Sequence, residues 1–213
     1  MEENNFIVGF DFDGVIVNSL SVMEKSWSEL SSKHDISIPF SAYKKNIGLK
    51  FKMILENIGL DKSMHEVIEI DYFHGTNKYK YGVVLYPSVK EIFTSFRKAG
   101  ISVFIVTSKP RKNTLALMEM FNIKVDFLVC ADDVTHGKPH IESGILVKNF
   151  FKNENIFYVG DMDSDAKFAS NCNFNFIFAE YGYGNISNND YVKINNLNEL
   201  TKNDFQLIRR FKL

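Results

Sequence analysis

Apolar residues fall along this chain in two different rhythms. Short, near-continuous runs at Phe6–Phe10, Ile101–Val106, Val125–Cys130, Ile156–Val159 and Phe174–Phe178 are rich in β-branched and aromatic residues, and each is followed by a polar or turn-rich stretch. Runs without alternation predict strands buried on both faces, as in a parallel sheet, and the later intervals are long enough for crossover helices. The second rhythm is helical. Val89, Ile92, Phe93 and Phe96 share one face behind a Ser88/Glu91 capping box, and Gly100 closes that helix. Pro110–Phe121 reads as the next helix, followed by Ile141–Phe151, by Ser164 to about Asn171, and by a last one over Leu197–Arg210.

Between Asn18 and Gly82 the strand rhythm stops. Leu20, Met23, Trp27 and Leu30 form one stripe, Ile47, Phe51, Ile54, Leu55 and Ile58 a second, and Met64, Val67, Ile68 and Tyr72 a third. Capping boxes at Ser21/Glu24 and Ser63/Glu66 mark two starts, and Gly59 stops the middle helix. A small helical bundle inserted after the first strand is the simplest product. The Asn-rich run Gly184–Asn189 reads as a loop.

Composition narrows the class without naming a function. The 213 residues are 45% apolar and 24% charged, which excludes low-complexity disorder. Basic residues number 25 against 26 acidic, so there is no electrostatic footprint for nucleic acid or an anionic membrane. Cys130 and Cys172 sit beside apolar residues, as reduced thiols do, and Met1–Asn5 carries two glutamates and no basic leader. A cytoplasmic protein is expected.

Chemistry is expected where strands end, because ligands of parallel sheets gather outside the carboxyl edge. The first run ends in Asp11-Phe12-Asp13-Gly14, the second in Thr107-Ser108-Lys109, and the fourth in Gly160-Asp161-Met162-Asp163-Ser164-Asp165, while Lys138-Pro139 occupies a turn-rich segment. Asp-x-Asp-Gly alone is usually a solvated turn, a Thr after a strand a helix cap, and Asp163 a cap at a helix start. Together at strand ends they supply what phosphoryl transfer needs: an anionic nucleophile, acids to hold a cation, a hydroxyl donor and a fixed positive charge.

As an ordered set, with a helical insertion after the first, these segments resemble the four motifs of the haloacid dehalogenase-like phosphatase superfamily, in its helical-cap branch. The likeness covers essentially the whole chain and is most specific at Asp11–Ser19 and at Gly160-Asp161 with Asp165. It implies a doubly wound, Rossmann-like α/β fold with strand order 5-4-1-2-3, a core at residues 1–17 and 83–213, and a cap at 18–82. It further implies that Asp11 attacks phosphorus, that Asp13 serves as acid and then base, and that Mg²⁺ lies between Asp11, the Asp13 carbonyl and Asp161. Thr107 and the Ser108 N–H would donate to phosphoryl oxygens, Lys138 would supply charge, and Asp165 would orient Lys138 or a metal-bound water.

Val106–Pro110 and Tyr86-Pro87 most resemble phosphoglycolate phosphatases, so the expected substrate is a small phosphorylated metabolite and the expected state a monomer or homodimer. A phosphomutase of the β-phosphoglucomutase type is the alternative, and a phosphoacceptor signalling domain a more distant one. Specificity is expected from the cap turn Gly48-Leu49-Lys50, with Lys50 meeting an anionic tail and Tyr43 and Lys52 next in line. The chain departs from the family in having Ile141 where a proline is frequent. His34, His65, His74, His136 and His140 share no metal-ligand spacing in sequence and are expected to play no part.

Overall fold

The computed structural model describes residues 6–153, 155–184, 186 and 190–202. The chain opens with β1 (Ile7–Phe10) and β2 (Val17–Asn18), then runs through α1 (Leu20–Lys33), α2 (Phe40–Lys44), α3 (Phe51–Asn57) and α4 (His65–Lys78). It returns through β3 (Val84–Leu85), α5 (Val89–Lys98), β4 (Val103–Val106), α6 (Arg111–Phe121), β5 (Phe127–Val129) and α7 (Glu142–Phe151). It finishes with β6 (Ile156–Gly160), α8 (Asp163–Asn171), β7 (Asn175–Ala179), β8 (Val192–Ile194) and α9 (Glu199–Lys202).

Six strands form one parallel sheet in the order β5-β4-β1-β6-β7-β8. The five strands read from the apolar runs stand in the expected order, and β8 extends the sheet beyond β7. Side chains alternate across the sheet: Val8 and Phe10 pack on one face with Ile92, Phe96 and Leu117 of α5 and α6. Ile7 and Phe104 pack on the other with Val147 and Phe168 of α7 and α8. The two-faced burial explains why these strands are apolar throughout, since each large buried side chain contributes about 1.5–3 kcal/mol. Phe10 lies level with Ile105 on one side and Val159 on the other, so the carboxyl ends of β1, β4 and β6 come out side by side.

The helices between β2 and β3 have their own apolar cluster, with Trp27, Tyr43, Phe51, Ile54, Leu55, Ile68 and Tyr72 at its centre and Met162 reaching in from the end of β6. Trp27 is committed to this cluster and donates its indole N–H to the Ile38 carbonyl at 2.9 Å. The chain enters and leaves this segment through a short antiparallel ribbon, β2 against β3.

Several local readings are corrected. Ser88 precedes α5 in a left-handed conformation (φ 70°) and its side chain makes no capping bond. Helix α1 begins at Leu20, so Ser21 lies inside it, and the preceding Ser19 spends its hydroxyl on Asp13. At the start of α4, Asp61 takes the capping part expected of Ser63 by accepting the Ser63 N–H at 2.8 Å. The second stripe contains a helix only from Phe51, and Ile47 lies in the turn before it. Of the helix expected over Leu197–Arg210, Glu199–Lys202 falls within the described residues; residues 203–213, Met1–Asn5 and part of the Asn-rich run fall outside them. Cys130 and Cys172 are buried and unpaired. Among the described residues no helix is long and apolar enough to cross a membrane.

Candidate active site

Asp11 follows β1 directly, its N–H bonded to the Val159 carbonyl at 2.8 Å, so the sheet ladder itself fixes where the carboxylate begins. One carboxylate oxygen accepts from Lys138 Nζ at 2.7 Å, and the same ammonium donates to Asp165 at 2.6 Å. Lys138 is almost wholly buried and also lies 3.3 Å from the Tyr158 hydroxyl. Burial disfavours its charge, but Asp11, Asp165 and Tyr158 outweigh that and hold it well above the ordinary lysine value. Burial raises Asp11 to about 7, against the opposing pull of Lys138.

Asp11, Asp161 and Asp165 present carboxylate oxygens within 4.8 Å of one another, all buried. Asp161 accepts the Tyr183 N–H at 2.6 Å through Oδ2, while its Oδ1 is buried without a hydrogen-bond partner. Burial, then the charges of Asp165 and Asp11, raise Asp161 well above the usual carboxylate range. A buried oxygen left bare among acids fits a hard cation that prefers oxygen ligands. Gly14 permits the close approach: it has φ +93°, and a Cβ there would fall on the Asp161 carboxyl group. The other oxygen of Asp165 accepts the Met162 N–H at 3.0 Å, so both its oxygens are engaged, one of them by Lys138.

Asp13 stands apart from this trio. Its two oxygens accept from Lys109 Nζ, each at 2.9 Å, and Ser19 Oγ donates to one of them at 2.5 Å. Tyr183 continues the network: its hydroxyl accepts the Ser19 N–H at 2.6 Å and lies 3.2 Å from the Val17 carbonyl. Lys109 and Ser19 fall within the motifs read from sequence, but that reading assigns no role to them or to Tyr183. The available signal was a lysine directly after Thr107-Ser108 at a strand end, where a solvated lysine is the ordinary reading.

A cavity of about 40 Å³ separates the sheet edge from the helices, lined by Asp11, Asp13, Thr107, Ser108 and Lys109 below and by Tyr43, Gly48, Phe51 and Tyr72 above. The Thr107 hydroxyl accepts the Lys109 N–H at 3.2 Å. Ser108 Oγ donates to the Gly48 carbonyl at 2.6 Å, tying the β4 end to the cap turn, where Gly48 adopts φ +97°. The structure does not bring Lys50 to this cavity. Its ammonium donates to the carbonyls of Val134 and Thr135 at 2.9 and 3.2 Å, and it lines a separate groove of about 830 Å³ together with Lys52, Pro110, His136 and His140.

A parallel sheet with buried acids at the ends of neighbouring strands, roofed by helices inserted after the first, defines a capped acid-centred α/β class. Residues 8–179 match the haloacid dehalogenase-like hydrolase family, and the chain belongs to it. It is 32% identical to a phosphoglycolate phosphatase of Salmonella typhimurium over 48% of this chain and 42% of that protein, so the match spans less than half of that relative. Among solved structures, a hydrolase from Pseudomonas syringae superposes with TM-score 0.85 at 17% identity, covering 94% of this chain and 98% of that one. The β-phosphoglucomutase of Clostridium difficile gives 0.81 at 16% identity, over 99% and 98%. The fold is therefore shared by proteins whose names denote different reactions.

Proposed function

We propose that the chain is a Mg²⁺-dependent phosphatase that hydrolyses a small phosphorylated metabolite through an aspartyl phosphate on Asp11. The observation that carries this reading is the buried Asp11 carboxylate, held by Lys138 and facing a cavity it shares with Asp13 and Thr107. A carboxylate oxygen of Asp11 attacks phosphorus while the ester P–O bond breaks, and Asp13, having first taken up a proton on an oxygen released by Lys109, delivers it to the departing alkoxide. Asp13, now a carboxylate, takes a proton from the water that attacks the aspartyl phosphate. The P–O bond to Asp11 then breaks, releasing phosphate and restoring both groups. Lys138 offsets the repulsion between Asp11 and the phosphoryl oxygens, while the Thr107 hydroxyl and the Ser108 N–H donate to those oxygens. Asp11, Asp161 and the Asp13 carbonyl would hold Mg²⁺, which when bound supplies charge neutralisation between nucleophile and phosphate.

The relative from Salmonella supports phosphoglycolate as the first substrate to try. Helices α1–α4, with their separate apolar cluster, support a two-domain division into a cap at 18–82 and a core at 1–17 and 83–213. A cytoplasmic monomer or homodimer belongs to the same reading. The test is phosphate release with Mg²⁺ from phosphoglycolate, an aryl phosphate and β-glucose 1-phosphate. Release from the first two is expected. Conversion of the sugar phosphate without release would make the chain a phosphomutase, and inertness toward all three would remove the reading.

A further inference from the structure

Outside the acidic trio, one more group of metal-capable side chains converges among the described residues: His136, His140 and Glu142. One ring nitrogen from each histidine and one carboxylate oxygen lie within 4.8 Å of one another. His136 Nδ1 is 3.2 Å from Glu142 Oε2, and His140 Nδ1 is 4.0 Å from the same oxygen. The two imidazoles face each other with centroids 4.7 Å apart. The four-residue separation of His136 and His140 is itself a metal-ligand spacing that the sequence reading passed over, although the two histidines sit on a loop and only Glu142 lies in the first turn of α7.

The carboxylate is set in advance. The N–H groups of Thr135 and His136 donate to its two oxygens at 2.7 and 2.8 Å, and these bonds hold its pKa below the ordinary glutamate value. The carboxylate is therefore already anchored by two backbone donors. The histidine side chains are more than half exposed, at 64% and 51%, and line the larger groove, so an ion has open access; His140 Nδ1 accepts the Glu142 N–H at 3.3 Å, a bond that an ion on that nitrogen would replace. Two imidazoles and one carboxylate, with water completing the shell, match a borderline divalent cation. Mg²⁺ is poorly served by imidazole and suits the all-oxygen trio instead.

We propose that His136, His140 and Glu142 form a second cation site, selective for a borderline divalent ion such as Zn²⁺, on the outer side of the loop that carries Lys138. The placement is specific: Lys138 turns inward from the middle of this loop to Asp11 and Asp165, while the residues two before and two after it face solvent. A bound ion would clip the loop on both sides of Lys138.

The test is calorimetric titration of the untagged full chain with Zn²⁺ in saturating Mg²⁺, paired with Co²⁺ titration read by visible absorption. One saturable Zn²⁺ equivalent is expected, with a Co²⁺ spectrum of imidazole and oxygen ligation. His136→Ala and His140→Ala should each weaken binding by at least about tenfold, the scale on which even outer partners of metal ligands act. Asp161→Asn should leave Zn²⁺ binding unchanged. Absence of saturable binding up to millimolar Zn²⁺, undiminished binding by both histidine variants, or loss of binding in Asp161→Asn would each overturn the proposal.

Discussion

Lys109 forks its ammonium onto both oxygens of Asp13, 2.9 Å from each, with both side chains more than nine-tenths buried. Removing one member of such a pair leaves the other charged and unpaired in the interior, at a cost of about 3–5 kcal/mol. Lys109→Met should therefore destabilise the protein by roughly that amount in urea unfolding, and by much less when Asp13 is already Asn. Equal penalties in the two backgrounds would show that Lys109 matters for packing alone.

Asp11→Asn keeps the volume of the side chain and removes the nucleophile. Turnover should fall by on the order of 10³-fold or more, as for other nucleophile knockouts, with the unfolding midpoint nearly preserved. Retention of more than a few per cent of phosphate release would move the nucleophile elsewhere.

Asp13→Asn should slow both half-reactions, but unequally across substrates. A phenoxide departs without much protonation, so the first step should suffer less with an aryl phosphate than with an alkyl phosphate. The readout is the ratio of kcat losses on the two esters, and a ratio of one would contradict the acid role.

The acidic trio makes a prediction about stability. Burial raises Asp11 to about 7 and Asp161 well above the carboxylate range, so the fold favours their protonated forms. Stability from such groups is complete below their unfolded value and is lost as pH rises through the folded one; metal-free protein should lose Tm from about pH 4 to about pH 7. Mg²⁺ at pH 7 should restore it, by about 2.7 kcal/mol at a hundredfold excess over Kd. Asp161→Asn should flatten the slope and abolish the Mg²⁺ shift. A flat metal-free profile in the parent chain would mean that the fold does not favour the protonated forms of Asp11 and Asp161.

Lys50 was the sequence's choice for reading an anionic tail, and the structure turns it toward Val134 and Thr135 instead. Lys50→Ala should accordingly change KM for phosphoglycolate and for a neutral aryl phosphate by the same factor. A selective rise for phosphoglycolate would restore Lys50 to the substrate.

What the sequence disclosed and what it hid follow from the same physics. Strands buried on both faces advertise themselves as apolar runs, so β1, β4, β5, β6 and β7 were legible. β8 was not, because Val192–Ile194 is a three-residue edge strand with only Ile194 buried, next to an Asn-rich stretch. The acids at strand ends were found by position and by family resemblance. Lys109 was passed over because burial of a lysine depends on a partner ninety-six positions away, and no local pattern reports that. The capping boxes failed because the helix starts are set elsewhere: α1 begins at Leu20, which leaves Ser21 inside it, Asp61 accepts the Ser63 N–H, and Ser88 adopts a left-handed conformation with no capping bond.

The ribbon formed by Val17 against Leu85 and Asn18 against Val84 has a consequence for how this chain tolerates change. It brings the start and finish of the helical excursion together at one point, so the sheet sees the excursion as a closed loop whose length hardly matters. The entropy of closing a loop grows only logarithmically with its length. Helices could be lengthened, shortened or exchanged beyond the ribbon without disturbing the register of β1 with β4 and β6. The cap helices can then change in length with little cost to the strands that hold Asp11 in place, provided the ties from Gly48 to Ser108 and from Lys50 to Val134 and Thr135 are kept.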